Sequence, residues 1–345
     1  MANNSLSVAL QTWSLLKKWD HYVAQTFHEI KELGIYILEV SDLGPEPDLC
    51  TFAKCWREGN PKVLPITIPD GELSSKDPTE REKTIAEING YCRSREIPHV
   101  AILDDGQIVS SAIAGFHVGM LSSDSTERQE QIGEIIKHCR ILGTSNAIIL
   151  DDGRLQKTKA SINNYMQLLV DSANILKKNG INVFFHPFGS HFDPIQEEVE
   201  TPKGKDAITP LPSPLQILLE RDVHGDVGIQ LDTHWLAKKE FFSPSDVYEF
   251  VEGFGVKKEL FLSRQFGLHL CDVADIATGS ECAIGKGVLM NHIQAWLDFA
   301  SAHVADKTVI LEFGHEPKED DSLHTDEYEL IAQSLNWLRE QGVSC

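Results

Sequence analysis

The 345-residue chain contains no apolar stretch near the ~20 residues that a membrane-crossing helix needs, so no membrane association is expected. It is also poor in positive charge: 31 Lys and Arg stand against 52 Asp and Glu, which gives a formal net charge of −21. Nucleic-acid binding requires cationic surface to neutralise phosphates, and no Lys/Arg cluster supplies one. A nucleic-acid partner is therefore not expected.

The seven cysteines are odd in number and include no CxxC pair. In a chain of this length that pattern predicts reduced thiols and a cytoplasmic setting rather than a disulfide framework. The first seven residues contain neither a basic segment nor an apolar one, so a signal peptide is not expected. No GxGxxG follows the first predicted strand, which weakens a dinucleotide-binding interpretation. The sequence leaves open whether the protein is a homo-oligomer.

One pattern repeats along the chain: an amphipathic helix, a glycine, and then an apolar strand. The glycines are Gly34, Gly143 and Gly180. Glycine suits the residue after a helix because that position often adopts a left-handed conformation. Strands that alternate with helices imply parallel pairing through right-handed crossovers.

Eight strands are predicted, at 6–13, 35–40, 98–104, 146–151, 181–187, 226–233, 265–270 and 307–313. Eight helices are predicted, at 19–33, 79–96, 126–142, 160–179, 213–221, 244–254, 288–303 and 325–341. The expected fold is a (β/α)8 TIM barrel with extended βα loops, in one domain over residues 1–345. A doubly wound open sheet is the alternative.

Two long segments interrupt this alternation, at 44–78 and 188–212, and both are rich in proline. Since both would follow strands, both are expected to lie over the mouth of the barrel as lids or substrate walls. Within the second segment, His191 is a candidate substrate-binding residue.

Several predicted strands end in residues that can bind a metal ion. Asp232, His269 and Glu312 end the sixth, seventh and eighth strands, and His186 ends the fifth. The carboxyl ends of parallel barrel strands meet at one mouth, so these side chains are expected to converge there. Mixed oxygen and nitrogen ligands suit one divalent cation, namely Mn²⁺, Co²⁺, Zn²⁺ or Mg²⁺.

Other polar residues are expected to face the same cavity and to bind substrate. Glu39 and Asp151 end the second and fourth predicted strands. His234 follows Asp232 by two residues and so points to the same side of the strand, next to Trp235.

Two features near the seventh strand have weaker functional interpretations. Asp272 is placed to fix the tautomer of His269. The glycines of Gly285–Gly287, before a predicted helix, are suited to hold an anion.

The order of these segments resembles the xylose isomerase-like, or AP endonuclease 2-like, TIM-barrel superfamily of sugar isomerases, epimerases and inosose dehydratase-like proteins. The matching segments span the whole chain: 36–40, 231–235, 269–272, 285–287 and 310–312. The resemblance implies one divalent cation at four strand ends, bound here by Asp232, His269, Glu312 and a residue of the fifth strand.

The chain departs from this pattern at three positions. His186 stands where the epimerase branch usually has Glu, in a His-Pro segment closer to the inosose dehydratase-like branch. Phe188 stands where that branch often has a second His, and Cys271 where many members have Lys. These departures affect the acid/base pair, for which Glu312 and His186 are the candidates.

The expected chemistry is proton abstraction next to a carbonyl, through an enediolate. The leading prediction is a metal-dependent isomerase or epimerase of a small-molecule carbohydrate or polyol. The alternatives are a lyase or dehydratase that acts on a cyclitol or sugar derivative, and a catalytically silent barrel used for binding. An endonuclease IV-like activity would need a larger His-rich zinc set and a basic face, which the net charge opposes.

Overall fold

The structure is a computed structural model. It describes residues 6–41, 49–61, 63, 100–102, 108–110, 112–151, 158–201, 204–313 and 326–343. The predicted helix at 79–96 lies outside these residues.

Eight parallel strands close into a barrel, which confirms the predicted TIM-barrel fold. In the order of their neighbours around the barrel they are β1 (Ser7–Gln11), β14 (Thr308–Leu311), β11 (Gln265–Leu270), β10 (Val227–Asp232), β7 (Asn182–His186), β6 (Asn146–Leu150), β5 (Ile113–Val118) and β2 (Leu38–Val40). Six further strands form three antiparallel hairpins: β3 (Val100–Ile102) with β4 (Ile108–Ser110), β8 (Ile195–Thr201) with β9 (Gly204–Leu211), and β12 (Asp272–Asp275) with β13 (Ser280–Cys282).

The helices of the described residues are α1 (Leu16–Glu32), α2 (Leu49–Arg57), α3 (Ser125–Leu142), α4 (Lys159–Lys178), α5 (Pro214–Arg221), α6 (Thr233–Ala237), α7 (Pro244–Glu252), α8 (Lys258–Leu262), α9 (Ile293–His303) and α10 (Asp326–Glu340). Short 3-10 turns cover Thr12–Leu15 and Gly189–Phe192. None of these helices is both long enough and apolar enough to cross a membrane.

Local sequence signals set the helix ends. Asp124 accepts hydrogen bonds from the backbone of Thr126 and Glu127 and so begins α3, while Gly143 ends it at φ 73°. Gly34 and Gly180 also have positive φ, as predicted for glycines that follow a helix. Each glycine turns the chain from a helix into the next barrel strand.

Successive side chains of a barrel strand point alternately towards the surrounding helices and into the barrel, so the chain has an outer core and an inner one. Val8 and Leu10 belong to the large core that includes the helices, whereas Ala9 belongs to a small cluster with Ile37, Ala114 and Ile310. That small cluster therefore faces the interior. Gln11, Glu39 and Glu312 lie two residues beyond three of its members, so they face the interior at the carboxyl ends of the strands.

The prediction for the third barrel strand was wrong. Val100–Ile102, within the predicted strand 98–104, pairs antiparallel with Ile108–Ser110 and is not in the barrel. The barrel strand is Ile113–Val118, whose Ala114 and Gly115 give it weak strand propensity in the sequence. A register shift against β2 sets Leu38 opposite Ile113 but Glu39 opposite Gly115, and it leaves Gly115 beside Glu39 inside the barrel.

The first long segment does not lie over the mouth throughout. At the end of α2, the indole nitrogen of Trp56 donates to the carbonyl of Ala112 (3.2 Å), and Asn60 donates to that of Tyr36 (3.1 Å). Both carbonyls precede barrel strands, so Asn60 is at the amino-terminal rim, opposite the mouth. The prediction for 44–78 is therefore wrong at Asn60, and residues 64–78 lie outside the described ones. The segment 188–212 does begin at the mouth, and it folds into a 3-10 turn and the β8–β9 hairpin.

Candidate active site

Four side chains from four strand ends meet at the mouth of the barrel. They are His186, Asp232, His269 and Glu312, and all four are buried. Each offers one nitrogen or carboxylate oxygen, and these four atoms all lie within 4.8 Å of one another. We call these four residues the mouth cluster.

The atoms of the mouth cluster are in direct contact. Nε2 of His186 lies 3.3 Å from Nδ1 of His269 and 3.8 Å from Oδ2 of Asp232. Nδ1 of His269 also hydrogen-bonds Oε2 of Glu312. Two imidazoles and two carboxyl groups thus point at one small volume, which is a donor set that suits a divalent transition metal.

Glu39 lies beneath the mouth cluster, fully buried, and accepts three side-chain hydrogen bonds. The donors are Nε2 of His117 (2.5 Å), Nε2 of His269 (2.6 Å) and Nε2 of Gln230 (2.6 Å). Burial raises the pKa of the Glu39 carboxyl, but His117 and His269 outweigh it and hold that pKa well below its ordinary value. Glu39 was predicted to bind substrate; the structure places it where it orients the mouth cluster.

The contact with Glu39 determines which nitrogen of His269 faces the cluster. Nε2 donates its proton to Glu39, so Nδ1 is the nitrogen directed at Glu312 and His186. On the other side of Glu39, Gln11 lies 3.4 Å from Nδ1 of His117 and can donate to it, which leaves Nε2 of His117 to donate to Glu39. A carboxylate behind a ligating histidine fixes its tautomer and ring orientation in metal sites.

The two cluster histidines have opposite shifts in pKa. Burial alone would lower the pKa of His269, but Glu312 and Glu39 raise it to about 10. Burial and the neighbouring His269 lower the pKa of His186 to about 3. His186 is therefore neutral at physiological pH, the form that binds a metal, whereas His269 would have to release a proton to bind one. Three carboxyl groups, those of Glu39, Asp232 and Glu312, are buried around these imidazoles, and buried carboxyl groups are stabilised by a cation.

His191 and Asp151 form a pair in the 3-10 turn next to the mouth. Nδ1 of His191 accepts the backbone N–H of Phe188 (2.8 Å), and Nε2 lies 3.1 Å from Oδ2 of Asp151. These bonds hold the turn, and with it the Phe188 ring, which packs against His186 and Trp235. The structure thus brings Phe188 and Trp235 to the edge of the mouth cluster.

His234 is fully buried at the start of α6. Its backbone N–H donates to Oδ1 of Asp232 (2.8 Å), so the same carboxyl group caps the helix and joins the mouth cluster. The ring of His234 faces Trp235 and Glu281.

Asp272 and the turn Gly285–Gly287 bind each other, so the predicted roles of both need correction. Oδ2 of Asp272 accepts the N–H groups of Gly285 (3.0 Å) and Gly287 (2.8 Å), and Oδ1 accepts those of Val273 (2.9 Å) and Leu289 (3.0 Å). The anion that the glycine turn holds is thus a carboxylate of the chain itself, and Asp272 fixes the loop rather than His269.

Three polar residues of the Glu39 network were not predicted: Gln11, His117 and Gln230. A signal existed for His117, because it follows the apolar run 112–116 as the other cluster residues follow theirs. Glutamines inside a strand give no comparable signal, since their partners lie on distant strands.

Comparison with known proteins supports the fold. No protein-family profile matches the sequence, and no curated protein matches it. Among solved structures, a sugar phosphate isomerase/epimerase from Parabacteroides distasonis matches over 97% of this chain and 94% of its own, at TM-score 0.56 and 16% identity. The probable 3-DHS dehydratase AsbF from Bacillus anthracis matches over 97% and 99%, at TM-score 0.53 and 10% identity.

A third similar structure is that of the IolI protein with a bound zinc atom, which matches over 98% of each chain at TM-score 0.51 and 12% identity. The fold and the mouth cluster define a TIM barrel with buried carboxyl and imidazole groups at its carboxyl-terminal mouth. The (β/α)8 barrel that the resemblance implied is the fold that this chain shares with these three proteins.

Proposed function

We propose that the protein is a divalent-metal-dependent isomerase or epimerase of a sugar or polyol derivative. The observation that carries this proposal is the mouth cluster, in which His186, Asp232, His269 and Glu312 bring four ligand atoms within 4.8 Å. The similar structures include a sugar phosphate isomerase/epimerase, which is consistent with such a reaction. A cytoplasmic setting is part of the proposal, supported by the cysteine pattern.

The residues fit one cation of borderline character. Two imidazoles beside two carboxyl groups favour Zn²⁺, Mn²⁺ or Co²⁺ over Mg²⁺, which prefers oxygen ligands. The burial of three carboxyl groups around these imidazoles also favours a cation. When bound, a divalent cation would polarise a substrate carbonyl and stabilise the negative charge of an enediolate.

Glu312 is the residue we assign to proton transfer. It is 8% exposed, more than the other three members of the mouth cluster, so its carboxyl group is the one nearest to solvent. It would take a proton from the substrate carbon and, in an isomerisation, return it to the adjacent carbon, whereas an epimerisation would need a second acid to supply a proton to the opposite face. His186 is neutral and held against Asp232, which suits a ligand.

Phe188 and Trp235 are proposed to form the substrate wall. Their rings lie 5.3 Å apart at the edge of the mouth cluster, and the His191–Asp151 pair fixes the turn that carries Phe188. Aromatic faces pack well against the apolar faces of sugar and cyclitol rings. The side chain of Asp151 is 13% exposed and would offer a carboxyl oxygen to a substrate hydroxyl.

A dehydratase that acts on a cyclitol or sugar derivative is the second candidate. It is favoured by His186, which replaces the glutamate usual for the fifth strand of the epimerase branch. A dehydratase is also among the similar structures. Loss of a β-hydroxyl starts from the same enediolate, so one assay can separate the two reactions.

The test follows carbon-bound protons by NMR in D₂O, with ketoses, aldoses and inososes as substrates and each candidate cation supplied. We expect solvent deuterium at one carbon of one of these substrates. Glu312→Gln should abolish that exchange, while the matched surface change Glu329→Gln leaves it intact. A new isomer identifies an isomerase or epimerase, and an unsaturated product identifies a dehydratase.

Elemental analysis supplies the second arm. Asp232→Asn keeps an oxygen to cap α6 but weakens the cation site, so its metal content should fall well below that of the wild type. Equal metal content in both proteins would contradict the metal assignment. Metal binding without exchange in any substrate would instead favour a silent barrel.

A further inference from the structure

The two strands that carry Asp232 and His269 also carry a second pair of donors. β10 and β11 are neighbours, and Asp232 lies beside His269 in their register. Two residues further along are His234 and Cys271, both fully buried. Thr233 joins the two segments here: its Oγ1 donates to the carbonyl of Cys271 (2.7 Å) and accepts the N–H of Cys271 (2.9 Å).

The β12–β13 hairpin brings a third donor to the same place. After Cys271 the chain runs through β12 and returns along β13, where Oε1 of Glu281 lies 3.8 Å from Nδ1 of His234. The side chain of Glu281 is 12% exposed. The hairpin is anchored at its base, because Asp272 binds four backbone N–H groups of the hairpin and the following loop.

We propose that His234, Cys271 and Glu281 form a second cation site that takes Zn²⁺. One ligand atom from each residue lies within 4.8 Å of the other two, and the set shares no residue with the mouth cluster. A thiolate, an imidazole and a carboxylate are the three side-chain ligand types of zinc, and the sulfur selects against Mg²⁺ and Ca²⁺. Three protein ligands leave the fourth tetrahedral position for water or a substrate oxygen.

A metal-free cluster of His234, Cys271 and Glu281 explains their positions less well than a cation site does. A buried Cys271 thiol can donate to the carbonyl of Asp272, at 3.6 Å, without any metal. However, Glu281 and His234 are too far apart for a direct hydrogen bond at 3.8 Å, and that distance leaves room for an ion between them. The proposal also gives His234 a role other than substrate binding.

Cobalt separates the two sites, because only the second one contains sulfur. The full chain, stripped of metal with a chelator, is titrated with Co²⁺ and followed by absorption. We expect two equivalents to bind, one of them with a sulfur-to-cobalt charge-transfer band in the near ultraviolet. Cys271→Ser should lose that band and one equivalent but keep the other. Cys282→Ser, a half-buried cysteine of the same hairpin outside the site, should keep both.

Glu281→Gln is the second variant, since it leaves the thiol in place. It should weaken the Co²⁺ binding that produces the charge-transfer band by about tenfold or more, since loss of even a group that orients a ligand costs that much. The proposal is overturned if one equivalent binds without a charge-transfer band, or if the band survives in Cys271→Ser. An unchanged affinity in Glu281→Gln would also overturn it. Failure of the mouth cluster gives a different result, namely one equivalent that does carry the band.

Discussion

Oε1 of Glu39 lies 2.6 Å from Nε2 of His269, on strands that are separated by 230 positions in the sequence. This contact holds the imidazole with Nδ1 towards Glu312 and His186. It therefore decides which nitrogen is offered to a cation, although Glu39 itself does not belong to the mouth cluster.

Glu39→Gln should weaken cation binding at the mouth cluster by about 10–100-fold, the usual cost of losing a group that orients a ligand. The glutamine amide has one acceptor oxygen, so its N–H groups would meet either the two histidines, which share Oε1, or Gln230, which donates to Oε2, and in both cases the negative charge beside His269 is lost. Competition with a chromophoric chelator measures the affinity. Glu329→Gln, on an exposed face of α10, is the control. Equal affinities for Glu39→Gln and the wild type would show that Glu39 does not orient His269.

Asp272→Asn should destabilise the protein by at least about 3 kcal/mol. In the wild type the carboxylate accepts several backbone N–H groups, and in the variant the amide NH₂ would face some of these donors and leave them without an acceptor. Denaturant unfolding followed by circular dichroism measures the loss. Asp275→Asn, on the exposed end of the same hairpin, serves as the control. A midpoint within error of the wild type would contradict the anchoring role of Asp272.

His191→Leu should loosen the turn at 189–192, since it removes both the bond from Phe188 and the contact with Asp151. We expect faster proteolytic cleavage within 188–212, and slower cleavage of the wild type when cation and sugar are bound. His224→Leu, at an exposed position, provides the comparison. If cleavage is equally fast in all three proteins, His191 does not hold this segment.

Asp306 predicts a pH dependence of stability that is independent of the mouth cluster. Burial raises the pKa of its carboxyl to about 7, against hydrogen bonds from Thr308, and Oδ2 has no hydrogen-bond partner among the described residues. Because the folded pKa lies above the unfolded one, this carboxyl favours the folded state below about pH 4, and the benefit is lost as pH rises to about 7.

Asp306→Asn should therefore be more stable than the wild type at pH 8, by up to about 4 kcal/mol, and the difference should shrink towards pH 4. The asparagine oxygen can still accept the N–H of Thr308, which lies 3.2 Å from Oδ1. Thermal unfolding of both proteins across this range measures the difference. A gap that does not vary with pH would mean that folding does not raise the pKa of Asp306.

The sequence predicted most of the barrel because those strands are short apolar runs, three of which follow a helix and a glycine. It failed at the third strand, where Val100–Ile102 looks more strand-like than Ile113–Val118. Barrel membership there depends on pairing with β2 and β6, which local propensity does not contain. His117 was missed for the same reason.

The four residues of the mouth cluster were predicted as ligands from their places at strand ends, and the structure brings them together. The layer beneath them was not predicted. Gln230 reaches Glu39 across the barrel interior, 191 positions away in the chain. Such a contact follows from which strands face each other across a closed barrel, and no local pattern records it.

The carboxylate of Asp272 also bears on which substrates the mouth can select. A glycine turn with free amides would attract a phosphoryl group. Here the N–H groups of Gly285 and Gly287 already donate to the Asp272 carboxylate. A sugar phosphate would gain nothing from this turn and would meet a like charge, whereas an uncharged sugar or cyclitol would lose nothing.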